Sequence, residues 1–504
     1  MLEKKTVTQE EINSILWQAC DTFRGILNSA TYMNYLLPML FLKFISDSWE
    51  VKYEKIKGET SLQRDNKNNL QSEDRFILPN KCHFIDLYKQ RNSRDIGKII
   101  NESFRKIEEE NKEKLSGVFR SIDFDSEALL GQLNERNNRL KNLLEDFNSP
   151  KLNLRNCLIG NDDIIGNAYE YLIHKFAAGG GQKAGEFYTP SEVSELISQL
   201  IELKAGETIC DPTCGSGALL IKCANGLVKK GFTDFKIFGQ EINGQTYALA
   251  KMNMFLHNID HARIEWCDSI RNPKLIEKYK VMKFDVLVAN PPFSLEKWGE
   301  ESAANDIYNR FHRGIPPKSK GDYAFISHMI ESMKDITGRI AMVASHGVLF
   351  RGSSEKKIRQ ALIEENLLDA VIGLPANLFY GTLIPAVILI FKKAKKNNTV
   401  FFIDANKDFS GEKSQNFLRV QDIQNIVTTY KARKSVKGYA YAANLSEIID
   451  NDFNLSISRY VEKNDIIEEY DILTIQAEIN RLEKEISVSH AGLNKKLQEL
   501  GFNI

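Results

Sequence analysis

Apolar positions recur at helical spacing from Ile12 to Ile45, and Gln132 to Leu144 repeats the pattern. Between them, Gln63 to Asp74 is polar and rich in Lys, Asn and Asp, and reads as a loop. The first 150 residues are therefore expected to form a mostly helical domain without a motif of its own chemistry. The rhythm then changes. Short apolar runs beginning at Glu207, Lys236 and Ile264, then Phe284 to Ala289, Arg339 to Ala344, Leu368 to Leu374 and Ala386 to Phe391, alternate with helix-length segments. Over residues 151–462 this predicts an α/β domain with a mostly parallel, doubly wound sheet. The last two runs are too close for a crossover helix, so they are expected to pair antiparallel at the sheet edge. In residues 463–504, Ile475, Ile479, Leu482, Ile486, Leu493, Leu497 and Leu500 repeat with 4-3 spacing, broken near Ser489, with charges between them. Such a helical tail packs either on its own domain or against a helix of a partner.

Candidate chemistry lies at the strand ends. The run ending at Ala289 meets Asn290-Pro291-Pro292-Phe293. Two prolines can neither extend a helix nor donate to a ladder, so the strand stops there. They leave a stiff backbone presenting an amide, a proline carbonyl and an aromatic ring. Two acceptors and a stacking ring suit an amino-bearing base swung out of a helix. A strand-ending turn with a packed Phe is the bland alternative.

Upstream, Glu207 to Leu220 reads as strand, glycine turn and helix start, with Asp211-Pro212 leading into Gly215-Ser216-Gly217. The glycines let the backbone approach a ligand closely. The spacing is not that of a nicotinamide fingerprint. The next strand ends at Glu241, placed to hold ribose hydroxyls, and a third offers Asp268 as an adenine-amine acceptor. Each feature alone is ordinary turn chemistry; their order along the chain is not.

In that order they resemble the amino-group DNA methyltransferases that use S-adenosylmethionine. Asp211 to Gly217 is similar to the cofactor loop of that family, and Asn290 to Phe293 to its catalytic motif in the adenine-N6 form. Glu186-Phe187-Tyr188-Thr189-Pro190, with Ser191 after it, resembles the segment closing over the methionine end of the cofactor. Two further blocks, Leu16 to Gly25 with Tyr35 to Asp47, and Leu374 to Thr382 with Ile384 to Phe391, resemble the modification subunit of type I restriction-modification systems. The resemblance spans residues 8–461. Cys214 departs from it, since small residues are usual there.

The resemblance implies a Rossmann-like methyltransferase domain with an antiparallel edge strand, between the helical N-terminal domain and the helical tail. It implies methylation of N6 of a flipped adenine in duplex DNA. Asn290 and the Pro291 carbonyl would accept both N6 hydrogens and Phe293 would stack on the base, so that orientation replaces a strong base. The cofactor would touch Glu186 to Ser191, Asp211, Pro212, Gly215, Ser216, Gly217, Glu241, Asp268 and Asn290. It further implies a specificity subunit binding two copies of this chain, and a restriction subunit. The same motif also serves methylation of RNA bases and of protein glutamine, and a scaffold role within a nuclease complex is another reading.

Composition narrows the partners. Of 504 residues, 67 are basic and 67 acidic, so formal net charge is zero. Phosphate neutralisation dominates DNA affinity, so this chain alone should bind DNA weakly. No basic stripe or DNA-reading module is visible, which argues for a partner independently of the resemblance. Seven cysteines show no paired CxxC arrangement, as expected of reduced thiols in a cytoplasmic protein. The start lacks a signal-peptide core, and the apolar run Tyr35 to Ile45 is too short to span a bilayer. No metal is expected: Gly179 to Gly185 lacks the Gly-Lys-Ser/Thr of a phosphate loop, and His257 and His261 lack the intervening Glu of a zinc helix. Gly314 to Gly321 is a basic, turn-rich loop that either borders DNA or connects elements. Tyr323 and Phe325 after it either line the cofactor or pack.

Overall fold

The computed structural model describes residues 8–19, 29–57, 75–150, 152–155, 163–179, 189–379, 383–411, 415–461 and 472–499. Numbering only helices of ten residues or more, the N-terminal part holds α1 (Gln9–Ala19), α2 (Ser29–Lys57), α3 (Ile96–Glu110), α4 (Leu133–Phe147) and α5 (Ile164–Gly179). The expected loop from Gln63 to Asp74 lies outside the described residues.

Nine strands then build one sheet: β1 (Thr208–Asp211), β2 (Lys236–Glu241), β3 (Arg263–Trp266), β4 (Val286–Ala289), β5 (Arg339–Ser345), β6 (Leu368–Gly373), β7 (Ala386–Lys392), β8 (Thr399–Asp404) and β9 (Ala440–Asn444). Their order is β9-β8-β6-β7-β5-β4-β1-β2-β3. Helices α6 (Ser191–Leu200), α7 (Ala218–Val228), α8 (Gly244–Leu256), α9 (Asp322–Glu331), α10 (Ser353–Glu364) and α11 (Val420–Ala432) accompany it. The inner strands are buried at every position: Val286 to Ala289 and Leu368 to Gly373 expose nothing, because a doubly wound sheet is covered on both faces. One core runs under α6, α7 and α11, the other under α9 and α10.

β6 and β7 pair antiparallel as expected, and β7 is also antiparallel to β5. The pair sits inside the sheet, because the chain continues into β8, parallel to β6, and β9, which forms an antiparallel edge. The sequence reading did not identify β8 and β9. Where β1 and β5 begin, Arg339 is buried with Glu207: its two Nη atoms each lie 2.8 Å from a carboxylate oxygen, and its Nε donates to the Ile201 carbonyl at 2.6 Å. A buried guanidinium is tolerated only when so fully partnered.

The N-terminal helices and the sheet layer share a wall. Helix α8 sends Leu249, Met252, Phe255 and Leu256 into the core of α1 to α5, and Tyr247, Ala250 and Met254 into the sheet core. Phe255 meets Phe76 edge-on at 5.1 Å. Arg75 reinforces the seam, pairing with Asp260 and donating to the Phe255 carbonyl. Residues up to 461 form one compact unit; residues 462–504 are a second. In the latter, α12 (Ile472–Glu499) is a helix whose Ile479, Leu482, Ile486 and Leu493 are all exposed. Among the described residues no helix is long and apolar enough to cross a membrane.

Candidate active site

β4, β1, β2 and β3 are neighbours and parallel, so their carboxyl ends share one rim. Chain order reverses between β1 and β4, which places the crevice of a doubly wound sheet there. Asp211, Glu241 and Asn290 stand on that rim, with Asp268 two residues beyond β3.

The glycine turn is held from both sides. Asp211 Oδ1 accepts from the Thr213 N–H at 2.8 Å, and the Cys214 N–H donates to the Gln240 carbonyl at 2.9 Å. Glu241 Oε2 accepts from the Gly215 N–H at 3.0 Å, and its Oε1 from the Asn243 N–H at 2.7 Å. Gly217, at φ +82°, starts α7, and a Cβ there would come within 2.7 Å of Met254 Cε. Cys214 also has a physical reason: a Cβ on Gly239 of β2 would lie 3.0 Å from its Sγ, so the thiol fills space that this glycine leaves.

Burial pushes the Asp211 carboxyl up to about 7; the Thr213 hydrogen bonds oppose the rise and the Glu241 charge adds to it. Burial also raises Glu241, against the backbone N–H groups it accepts. Two buried carboxylates resisting ionisation beside a closely approachable backbone suit a ligand with positive charge and hydroxyl groups. That set of acceptors fits the cofactor expected from the sequence. Asp268 is more committed: its Oδ1 accepts from the N–H groups of Ile270 and Arg271 at 2.8 and 2.9 Å, and its Oδ2 lies 3.5 Å from Arg271.

The Asn290 amide donates to Thr189 Oγ1 at 3.1 Å. One of its two N–H groups is thereby used, and the carboxamide oxygen is the acceptor that the side chain offers. Pro190 follows as the N-cap of α6, and Ser191 is the first residue of that helix. Glu186, Phe187 and Tyr188 lie outside the described residues. Phe293 is half-buried and meets Phe379 edge-on, ring centroids 5.9 Å apart.

The sequence reading named Thr189 for the cofactor and did not see that its hydroxyl accepts from the Asn290 amide, nor did it single out Phe379, which meets the Phe293 ring edge-on. Ile242, directly after β2, and Trp266, the last residue of β3, are exposed. The Thr189 hydrogen bond spans 101 positions and left no signal in the sequence.

Other candidates are placed elsewhere. Tyr323 is buried and donates to the Val348 carbonyl at 2.8 Å, and Phe325 packs with Ile270, Trp298 and Phe311. The basic loop is tied down, with Pro317 accepting from the Trp298 indole at 2.9 Å and Lys318 pairing with Glu300 at 3.1 Å. His257 pairs with Asp163, His261 packs on Phe235, and among the described residues no group of three or more potential ligands could hold a metal. Cys82, Cys210, Cys214, Cys223 and Cys267 are buried free thiols.

The model of the N-6 DNA methylase family matches residues 160–469, and that of the HsdM N-terminal domain matches residues 12–147. The methylase subunit of the type I restriction enzyme MpnII from Mycoplasma pneumoniae is 29% identical, over 96% of this chain and 95% of its own. The MjaVIII methylase subunit from Methanocaldococcus jannaschii is 32% identical, over 95% of this chain and 82% of its own. Among solved structures, the type I restriction-modification methyltransferase subunit from Streptococcus thermophilus is 33% identical with a TM-score of 0.81, covering 90% of this chain and all of that one, 100%.

Proposed function

This chain belongs to the N-6 DNA methylase family and is a methylase subunit of a type I restriction-modification system, and from that premise we propose how its residues methylate N6 of adenine in DNA. The observation that carries the reading is the Asn290–Thr189 hydrogen bond at 3.1 Å, which ties the amide nitrogen at the end of β4 and leaves the carboxamide oxygen as an acceptor. There it and the Pro291 carbonyl accept the two N6 hydrogens of an extruded adenine. Both acceptors favour a pyramidal nitrogen whose lone pair points away from the ring. Phe293, braced by Phe379, stacks on the base.

S-adenosylmethionine, when bound, supplies a methyl group on a positively charged sulfur. Asp211 and the glycine turn hold it, Glu241 takes its ribose hydroxyls, and Asp268 with Thr189 to Ser191 borders it. The glycines, lacking side chains, admit the ligand close to the backbone. A specificity subunit, bound by two copies of this chain, reads the DNA sequence, and the exposed stripe Ile479, Leu482, Ile486 and Leu493 on α12 is the surface offered to a partner helix. A restriction subunit completes the assembly.

The test is transfer from labelled S-adenosylmethionine to duplex DNA by this chain with its specificity subunit, followed by nucleoside identification. N6-methyladenine is the expected product. N4-methylcytosine, or label appearing in RNA instead, would overturn the substrate assignment.

Cofactor affinity should also depend on pH. A cationic ligand favours ionised Asp211, so binding releases a proton wherever the free site holds one. Below about 7 the free carboxyl is protonated. Affinity therefore rises with pH, approaching about tenfold per unit at low pH, and levels off above that value. Calorimetric titration across this range should show the slope in the wild type and not in Asp211→Asn.

A further inference from the structure

We infer that Asp322 and Arg351 form a latch that sets the Asn290–Phe293 turn for the target base, which makes them positioning residues for methyl transfer. This rests on the function proposed above. The turn ends at Ser294, held at φ +52°, a left-handed conformation that a serine adopts only when its surroundings impose it. Both members of the latch touch that residue. The Ser294 N–H donates to Asp322 Oδ1 at 3.3 Å, and Arg351 Nη1 lies 3.4 Å from Ser294 Oγ. Arg351 Nη2 donates to Asp322 Oδ2 at 2.8 Å, and Ser345, at the end of β5, donates to Asp322 Oδ1 at 3.0 Å.

The latch is built in rather than incidental. Asp322 is 4% exposed, and these partners, Ser294, Ser345 and Arg351, all lie outside its own helix α9. Arg351 is backed on its far side by Glu355, whose Oε2 lies 2.7 Å from Nε. Space is reserved for the guanidinium: a Cβ on Gly347 would come within 2.8 to 3.0 Å of it. Where the chain returns to α9 after its excursion from the turn, the Gly321 N–H donates to the Leu295 carbonyl at 2.9 Å. The two arms are thereby closed beside the motif. The hydrogen bonds of the latch do not involve Asp211, Glu241 or the glycine turn, so it acts on the base side of the site and leaves the cofactor side untouched.

That separation makes the inference testable. Arg351→Gln, Arg351→Lys and Gly347→Ala are compared with wild type in the complex with the specificity subunit. The last variant crowds the guanidinium while leaving every charge in place. Arg351→Gln and Gly347→Ala should lower kcat about 10- to 100-fold, the scale of a small misplacement at a reacting group. Cofactor affinity should stay within about twofold. A 2-aminopurine at the target position should change its emission, because the ring it stacks on has moved. Arg351→Lys, which keeps the charge and loses the fork, should fall between. If kcat stays near the wild-type value in Arg351→Gln and Gly347→Ala, the latch is overturned. Parallel loss of cofactor affinity with unchanged 2-aminopurine emission overturns it too, by showing general structural support. A wild-type complex that transfers no methyl group overturns the parent function and the latch with it, an outcome distinct from insensitive variants of an active enzyme.

Discussion

Asn290→Ala is expected to cut methyl transfer by about a hundredfold or more while leaving cofactor binding in place. The carboxamide is the side chain that the Thr189 hydrogen bond orients, and removing it deletes one of the two acceptors proposed for the amine. Losing a single oriented hydrogen-bonding group of this kind costs roughly a hundred- to a thousandfold in kcat, about 2.7 to 4 kcal/mol. The Pro291 carbonyl and the stacking ring are backbone and neighbour, and they stay. The groups proposed to carry most of the cofactor contact, Asp211 and Glu241, are on other strands, and Glu241 is held by the Gly215 and Asn243 N–H groups. Single-turnover transfer and calorimetric titration of the cofactor separate the two effects. Loss of both activities would show instead that the bond between Thr189 and Asn290 holds the site together, which is a folding role.

The second large effect concerns the partner. This chain alone should transfer little label to DNA, and the specificity subunit should restore transfer to adenine. With 67 basic and 67 acidic residues, the protein has no net attraction for phosphates. Sequence-independent binding at physiological salt is then expected at or weaker than about 10⁻⁴ to 10⁻⁶ M. Site-specific complexes are typically at least about a thousandfold tighter. Adding a reader should therefore raise transfer at limiting DNA by a similar factor. Fluorescence titration at two salt concentrations, with transfer measured in parallel, gives both numbers. Strong transfer by the chain alone would mean that it carries its own DNA-reading surface.

The candidate residues at the strand ends were legible because strand termination has local causes. Prolines at 291 and 292 stop β4 whatever surrounds them, and an acid closing a buried run announces a rim. β8 and β9 escaped for different reasons. Thr399–Asp404 holds the β-prone run Thr-Val-Phe-Phe-Ile, a local signal overlooked after a lysine-rich turn, whereas Ala440–Asn444 has three alanines and takes its strand character from pairing with β8. The position of β7 escaped likewise, since an antiparallel pair reads the same at an edge as in the interior. Asp322, Arg351 and Phe379 reach the motif through contacts across 28 to 86 residues, and no periodicity records such distances.

Helix α8 limits how this protein can be recombined. Met254 borders the glycine turn at Gly217, while its neighbour Phe255 is buried among Phe41 and Phe76 of the N-terminal part. Adjacent positions on one helix thus answer to two different cores. A substitution accepted on one side constrains its neighbour on the other. Grafting an N-terminal part from one relative onto the catalytic part of another is therefore expected to require replacing the face of α8 that packs on the N-terminal core as well.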